Sequence, residues 1–260
     1  MKKIALTAFA LLGLFAASPA TLQAEEVVRF GLAAEPYAPF SVKDSAGNWV
    51  GWEVDLRDAV CAEMKVKCEW VEVAWDGIIP ALLEKKFDVI WSSMSITDER
   101  KKVIAFTDKY YTSAAVWVGA KSDKRAFDPA NPGSMDGVVI GAQNATTHAK
   151  YMEKYFKNHS ELKLYDTLDN ETADLKAGRI DLVMAGAIQI SDWLKTPDGA
   201  DYEIKVKLPH DQLFGYGDGA GLRKEDTALR ERLNAAIAAV RASGEYQKIT
   251  AKYFDFDIYE

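Results

Sequence analysis

Cysteine and histidine are scarce in this chain of 260 residues, with two of the first and three of the second. Two cysteines exclude a disulfide-dense scaffold, and His148, His159 and His210 are too scattered to form a metal site of ordinary ligand spacing. No phosphate-cradling glycine loop or nucleophile elbow occurs either. Long apolar runs are missing except at the start, where MKKIALTAFALLGLFAASPATLQA opens on Lys2 and Lys3, continues apolar and ends in small residues. That is the build of a secretory signal peptide, residues 1–24, cut after Ala24; an uncleaved anchor is the alternative. No later segment approaches the roughly 20 apolar residues of a membrane span. Positive charge is the minority sign. The formal net charge is −7, and about −9 once Lys2 and Lys3 are gone, which argues against a nucleic-acid partner.

Export makes oxidation the expected state of Cys61 and Cys68, both within CAEMKVKC. On one continuous helix they would stand about 10 Å apart, beyond disulfide reach. A bridge therefore requires the helix to end between them. VDLRDAVCAEM has helical period and KCEWVEVAW alternates like a strand, so the chain meets that requirement. A structural bridge closing a small loop is predicted, with free thiols as the other reading.

About 236 residues remain after the leader, enough for one large domain or two small ones. A faint internal echo points to two. LLEKKFDVIWSS and LKAGRIDLVMAG each read as a helix end, a basic turn and a buried strand opening on an aspartate. Strands are predicted at VVRFGLA, KCEWVEVAW, GVVIGAQ, ELKLYDT and IDLVMAG, with helices at GWEVDLRDAVCAEM, WDGIIPALLEKK, TTHAKYMEKYF and NETADLKAG. This alternation predicts an α/β fold with mostly parallel sheets. KSDKRAFDPANPG reads as a surface loop, and the tail as two helices, the first capped by Thr227 and stopped by Gly244.

WSSMSITDER stands where the buried strand FDVI ends, the place where ligands gather on a parallel sheet. Thr97 can cap a short helix, Ser93 and Ser95 bring hydroxyls, and Arg100 brings a forked cation. The group reads either as a socket for a carboxylate or phosphate, or as ordinary capping beside a solvated arginine.

Together with EPYAPFSVKDSAGNWVGWEVDL, AWDGIIPALLEKK, GLRKEDTALRERL and KYFDFDIY, this stretch resembles the periplasmic solute-binding proteins of family 3. These bind polar amino acids, and the nearest likeness is to the lysine/arginine/ornithine and histidine binders and their octopine and nopaline relatives. The resemblance spans essentially the whole mature chain. It implies a type II, two-lobed clamp with two hinge crossings that closes on one small solute and presents it to an inner-membrane ABC permease complex. The implied protein is a periplasmic monomer without a cofactor. Lobe 1 is expected over 25–113, lobe 2 over 114–209, and 210–260 returns to lobe 1, with hinges near YYTSAAVWV and LFGYGDGAG.

The resemblance also implies a site. Tyr37 and Trp75 match the aromatic pair that sandwiches the ligand's side chain, and Ser93, Met94, Ser95 and Arg100 match the α-carboxylate site. Ala142, Ala145, Thr146 and Thr147 match the segment that closes from the second lobe. Glu53, with Glu35 as a second choice, matches an acid near the side-chain end. Gly186 departs from the pattern, because an aspartate usually stands there to meet the ligand's α-ammonium. Three readings follow: an N-substituted solute such as an opine, slightly favoured; another acid reaching the site; or weak binding. A cyclohexadienyl-dehydratase-like enzyme resembles these proteins too, but no poised acid or base is evident here. A sensory role beside transport is a third class.

Overall fold

The computed structural model describes residues 26–259, so the leader and its expected cleavage site lie outside the described residues. In chain order the strands are β1 (Val27–Ala33), β2 (Val42–Lys43), β3 (Trp49–Val50), β4 (Lys67–Val73), β5 (Val89–Ile90) and β6 (Ala105–Phe106). They continue as β7 (Ala115–Ala120), β8 (Val139–Gln143), β9 (Glu161–Tyr165), β10 (Leu182–Gly186), β11 (Tyr202–Lys207) and β12 (Gly221–Leu222). The helices are α1 (Trp52–Met64), α2 (Ile78–Leu83), α3 (Asp98–Lys101), α4 (Thr147–Tyr155), α5 (Leu168–Lys176), α6 (Ala187–Leu194), α7 (Thr227–Ala242) and α8 (Glu245–Thr250).

These elements form two sheets with helices packed on them, the two-lobed α/β architecture expected. The first runs β4-β1-β5-β12-β6 and the second β11-β7-β10-β8-β9. Their centres are parallel: β1 pairs in parallel with β4 and β5, and β8 with β9 and β10. Within these two sheets the antiparallel pairs all involve β7 or β12, the first strands laid down after the chain changes sheet, while β2 and β3 pair antiparallel in a separate two-stranded sheet. A strand that arrives from another lobe is not reached through a crossover helix and is free of the constraint that makes βαβ neighbours parallel. Strands buried on both faces read as continuous apolar runs, as in β10, where all five residues are buried.

The internal echo has a physical meaning. Asp88, just before β5, accepts a bond from the backbone N–H of Arg29, and Asp181, just before β10, accepts one from that of Val139. Each aspartate thus satisfies a donor at the start of the neighbouring parallel strand. Arginines hold both: Arg29 on Asp88 at 2.8 Å and Arg125 on Asp181 at 2.5 Å.

Several element ends differ from expectation: the helix expected over WDGIIPALLEKK opens as a 3-10 turn at Trp75–Gly77 and stops at Leu83, and β4 stops at Val73. The helix α5 begins at Leu168, two residues before NETADLKAG, because Thr167 caps it by accepting from Asn170 N–H. At α7 the N-cap is Asp226 and not Thr227, which is the first helical residue. The helix α1 ends as the cysteines require. Lys65 turns left-handed at φ 56°, β4 starts at Lys67, and the Cys61 and Cys68 Cα atoms come to 6.2 Å with the disulfide formed.

That bridge closes a small loop about 12 Å along α1 from Glu53, which supports the site described below. Reducing it is expected to lower the unfolding free energy by about 2–3 kcal/mol. Urea unfolding with and without reductant measures this, and an unchanged midpoint would refute a stabilising role.

Candidate functional site

A cavity of about 380 Å³ opens between the two sheets. It lies beyond the carboxyl ends of the parallel strands: Trp75 follows β4, Ser93 follows β5, Gln143 ends β8 and Gly186 ends β10. Of the residues expected from sequence, Tyr37, Trp75, Ser93, Ser95, Arg100, Thr146, Thr147 and Gly186 line it. The lobes meet around α3 and α4, where Glu99 pairs with Lys150 at 2.7 Å.

Arg100 is the cation of this cavity wall. Its side chain is buried, its backbone N–H is held by the Thr97 hydroxyl at 3.2 Å, and Nη1 donates to the Ser95 carbonyl at 2.9 Å. Nη2 reaches across the lobes to the Ala145 carbonyl at 3.3 Å, and the guanidinium sits 5.5 Å from the centre of the Trp75 ring. Among the described residues no carboxylate pairs with it. Burial outweighs the attraction of Asp218 and Glu99 and lowers its pKa to about 10, still fully protonated at neutral pH. A buried guanidinium without an ion pair is a strong double donor to a planar carboxylate.

Four expectations need correction. Glu53 does not line the cavity. It is fully buried behind it, with Oε1 accepting from Ser93 N–H at 2.6 Å and from the Tyr110 hydroxyl, and Oε2 accepting from the Ser93 hydroxyl at 2.9 Å. It sits one layer too deep because Trp52 and Val54 bury that turn of α1. Met94 faces the other way, into the apolar cluster around Ile78, Leu82 and Phe87, since neighbours after a strand alternate in direction. Ala142 is buried in the second lobe's core beside Trp117 and Met184. Ala145 is exposed at φ 56°, outside the cavity lining, and it contributes only the carbonyl that Arg100 holds.

Two hydroxyls in the lining are also committed. Ser93, held at φ 49°, gives both its donors to Glu53, so it offers the cavity lone pairs, which suit an ammonium better than a carboxylate. Thr146 caps α4, donating to the Gln143 carbonyl at 2.6 Å and accepting from Ala149 N–H at 3.2 Å. Gly186 opens α6 at φ −68°, and a Cβ there would lie 3.3 Å from the Ser113 hydroxyl and 3.5 Å from that of Tyr37.

Two buried acids of this lining escaped the sequence reading. Asp218 comes from GYGDGAG, treated above only as a hinge, and Glu171 comes from α5. Asp218 bridges Ser95 and Tyr111 in short antiparallel contacts. The glycines make that approach possible: a Cβ on Gly215 would fall 2.3 Å from the Ile96 carbonyl oxygen, and one on Gly217 2.8 Å from that of Tyr111. An acid set among glycines in a crossing segment was the available signal. Burial raises the Asp218 pKa to about 7; the Ser95 hydroxyl draws it down, the Glu53 charge pushes it up and Arg100 draws it down again. No cation pairs with Asp218 among the described residues. Glu35, at the same cavity, accepts from Trp75 N–H at 3.1 Å.

His148 and His210 line the cavity too. Burial, reinforced by Arg100, lowers the His148 pKa to about 4, so its imidazole is neutral. It packs 6.2 Å from Phe214, and its ring nitrogens bond no carboxylate.

Asp218 gives a signed pH dependence. Its carboxyl titrates near 4 in the unfolded chain and near 7 in the empty fold, so between those values the fold binds more protons and loses stability as pH rises. Asp218→Asn is therefore expected to stabilise the empty protein at pH 8 by an amount on the order of a few kcal/mol, and to do so far less at pH 5. Thermal unfolding at both pH values decides this, and an equal gain at both would contradict it.

The sequence matches the model for bacterial extracellular solute-binding proteins, family 3, over residues 28–256. It is 40% identical over 262 residues to an L-arginine-binding protein of Pseudomonas aeruginosa, covering 100% of this chain and 99% of that one. It is also 40% identical over 263 residues to a histidine-binding periplasmic protein of Salmonella typhimurium, again covering 100% and 99%. Among solved structures, a Salmonella typhimurium periplasmic binding protein described for high arginine specificity superposes with a TM-score of 0.79 at 32% identity, covering 88% of this chain and 99% of that one. With a two-lobed fold, a cavity beyond the parallel strands and a family match over nearly all described residues, the chain belongs to the bacterial extracellular solute-binding proteins of family 3.

Proposed function

We propose that the protein is the periplasmic substrate-binding subunit of an ABC importer and captures an amino acid with a cationic side chain by closure of its two lobes. One observation carries this reading. A single cavity presents a buried guanidinium without an ion pair, Arg100, and a buried carboxylate without one, Asp218. Each alone is costly to bury, and a zwitterion supplies both missing partners at once. The α-carboxylate goes to Arg100, and the α-ammonium goes to Asp218 with the lone pairs of Ser93. Tyr37 and Trp75 offer flat faces suited to an alkyl or cationic side chain.

The case for an N-substituted solute depends on the cavity holding no acid for an ammonium. Asp218 lines the same cavity as Gly186, and both act on Tyr37, whose hydroxyl lies 3.5 Å from where a Gly186 Cβ would be and whose pKa burial and then Asp218 raise. The second of the three readings, another acid in place of the missing aspartate, therefore has the better support. Relatives named for arginine and histidine favour a cationic side chain. Binding is favoured over catalysis because the relatives are named as binding proteins and because neutral His148 has no orienting acid. Closure is selection of a compact form by a solute that touches both lobes.

A thermal-shift panel on refolded protein tests this with arginine, lysine, ornithine, histidine, octopine and nopaline. A basic amino acid at 100 times its dissociation constant is expected to add about 2.7 kcal/mol. Arg100→Ala is expected to abolish the shift while the variant still unfolds cooperatively. Stabilisation by octopine or nopaline alone would return the argument to Gly186. Unchanged affinity in Arg100→Ala would refute the carboxylate assignment.

A further inference from the structure

We propose that Glu171 forms, within the second lobe, a separate subsite for the positively charged group on the solute's side chain. This rests on the amino-acid reading above and gives its side-chain specificity a residue. Leu168, Glu171, Thr172 and Leu175 share one face of α5 at helical spacing, and the last three are buried. An acid on an apolar stripe is unusual unless something meets it. Oε1 accepts from Met184 N–H at 3.2 Å, whereas Oε2 is buried and has no hydrogen-bond partner. The residue is fully buried, yet it lines the same cavity as Arg100 and Asp218.

The surroundings are built around it. A Cβ on Gly141 would stand 2.8 Å from the Glu171 Cγ, so that glycine makes the space the side chain occupies. Gln143 and Gln189 line the same cavity, the Gln143 amide N–H donating to the Asp166 carbonyl at 3.0 Å.

Charge decides what the free oxygen awaits. The cavity lining carries Glu35, Glu171 and Asp218 against Arg100 and Lys109, and Lys109 turns its ammonium to the Thr112 hydroxyl and the Tyr259 ring. After a zwitterion's own ammonium and carboxylate are matched, an excess of acid remains. Burial raises the Glu171 carboxyl's pKa well above the ordinary range, opposed only by the Met184 N–H, and so disfavours its ionised form in the empty cavity. A guanidinium or terminal ammonium supplies the donors that Oε2 lacks and stabilises the ionised form.

The test is isothermal titration of arginine and citrulline, which share a shape but differ by the side-chain charge, into wild type, Glu171→Gln and Glu35→Gln. Wild type is expected to prefer arginine strongly. Glu171→Gln keeps an acceptor for Met184 N–H and is expected to lose about 10-fold or more in arginine affinity while holding citrulline, so that the preference collapses. Glu171→Met, which removes the buried polar end, is expected to give the same collapse and guards against misfolding of either variant. A preference that survives in both Glu171 variants, or that collapses only in Glu35→Gln, overturns the proposal. Wild type that binds neither of these, nor lysine, ornithine or histidine, overturns the amino-acid reading itself and this one with it; binding of arginine and citrulline with no preference overturns only this one.

Discussion

A carboxylate with no cation beside it, Glu53, is the point on which the first lobe's side of the cavity depends. It is fully buried, and it is held by three donors: the Ser93 N–H, the Ser93 hydroxyl and the Tyr110 hydroxyl. Through them one side chain ties α1 to the turn after β5 and to the crossing into the second lobe. Ser93 has a left-handed backbone that a serine rarely adopts, and the two hydrogen bonds it donates to Glu53 compensate for it. The strand end is thereby bent so that Ser95 and Arg100 face the cavity. Glu53 raises the pKa of Asp218 as well, so the supporting residue tunes a residue that lines the cavity.

The cavity's chemistry follows from charges left unmatched. Among the described residues Arg100 is held by carbonyls but ion-pairs with no anion, Asp218 ion-pairs with no cation, and one Glu171 oxygen has no hydrogen-bond partner. Each lowers the stability of the empty protein, and each gives a solute of the right charge pattern a large differential effect on the closed form. Stability and recognition are thus opposed at the same atoms, which is the usual relation in binding sites. The Arg100 bond to the Ala145 carbonyl and the Glu99 pair with Lys150 join the lobes at that edge.

Much of this was legible in the chain. The strand at Val27–Ala33 stands where VVRFGLA placed it, and the helix before the cysteines stops between them, because period and spacing are local properties. The repeated aspartate before β5 and β10 was visible too, although its use in satisfying an N–H of the neighbouring parallel strand was not. What failed was depth. Met94 and Ala142 are sequence neighbours of lining positions yet point into the core, since one step along the chain reverses a side chain's direction, and Glu53 lies behind Ser93, a layer below the cavity. Asp218 went unread because its place in the cavity depends on a glycine-rich segment lying flat against Ile96 and Tyr111, far away in sequence.

The sequence by itself determined the two α/β units, the disulfide's requirement for a helix end, and the cluster Ser93, Ser95 and Arg100 at the end of a buried strand. Those features arise from periodicity and from residues close along the chain. Only the tertiary structure decided which acids share the cavity with Arg100, because Glu35, Glu171 and Asp218 come from three distant segments that meet only when both crossings are made. It also decided that Ser93 spends its donors on Glu53, which is a matter of which buried polar group lies within reach. A solute's charge pattern is read from such meetings, so the fold class lay in the sequence while the specificity lay in the fold.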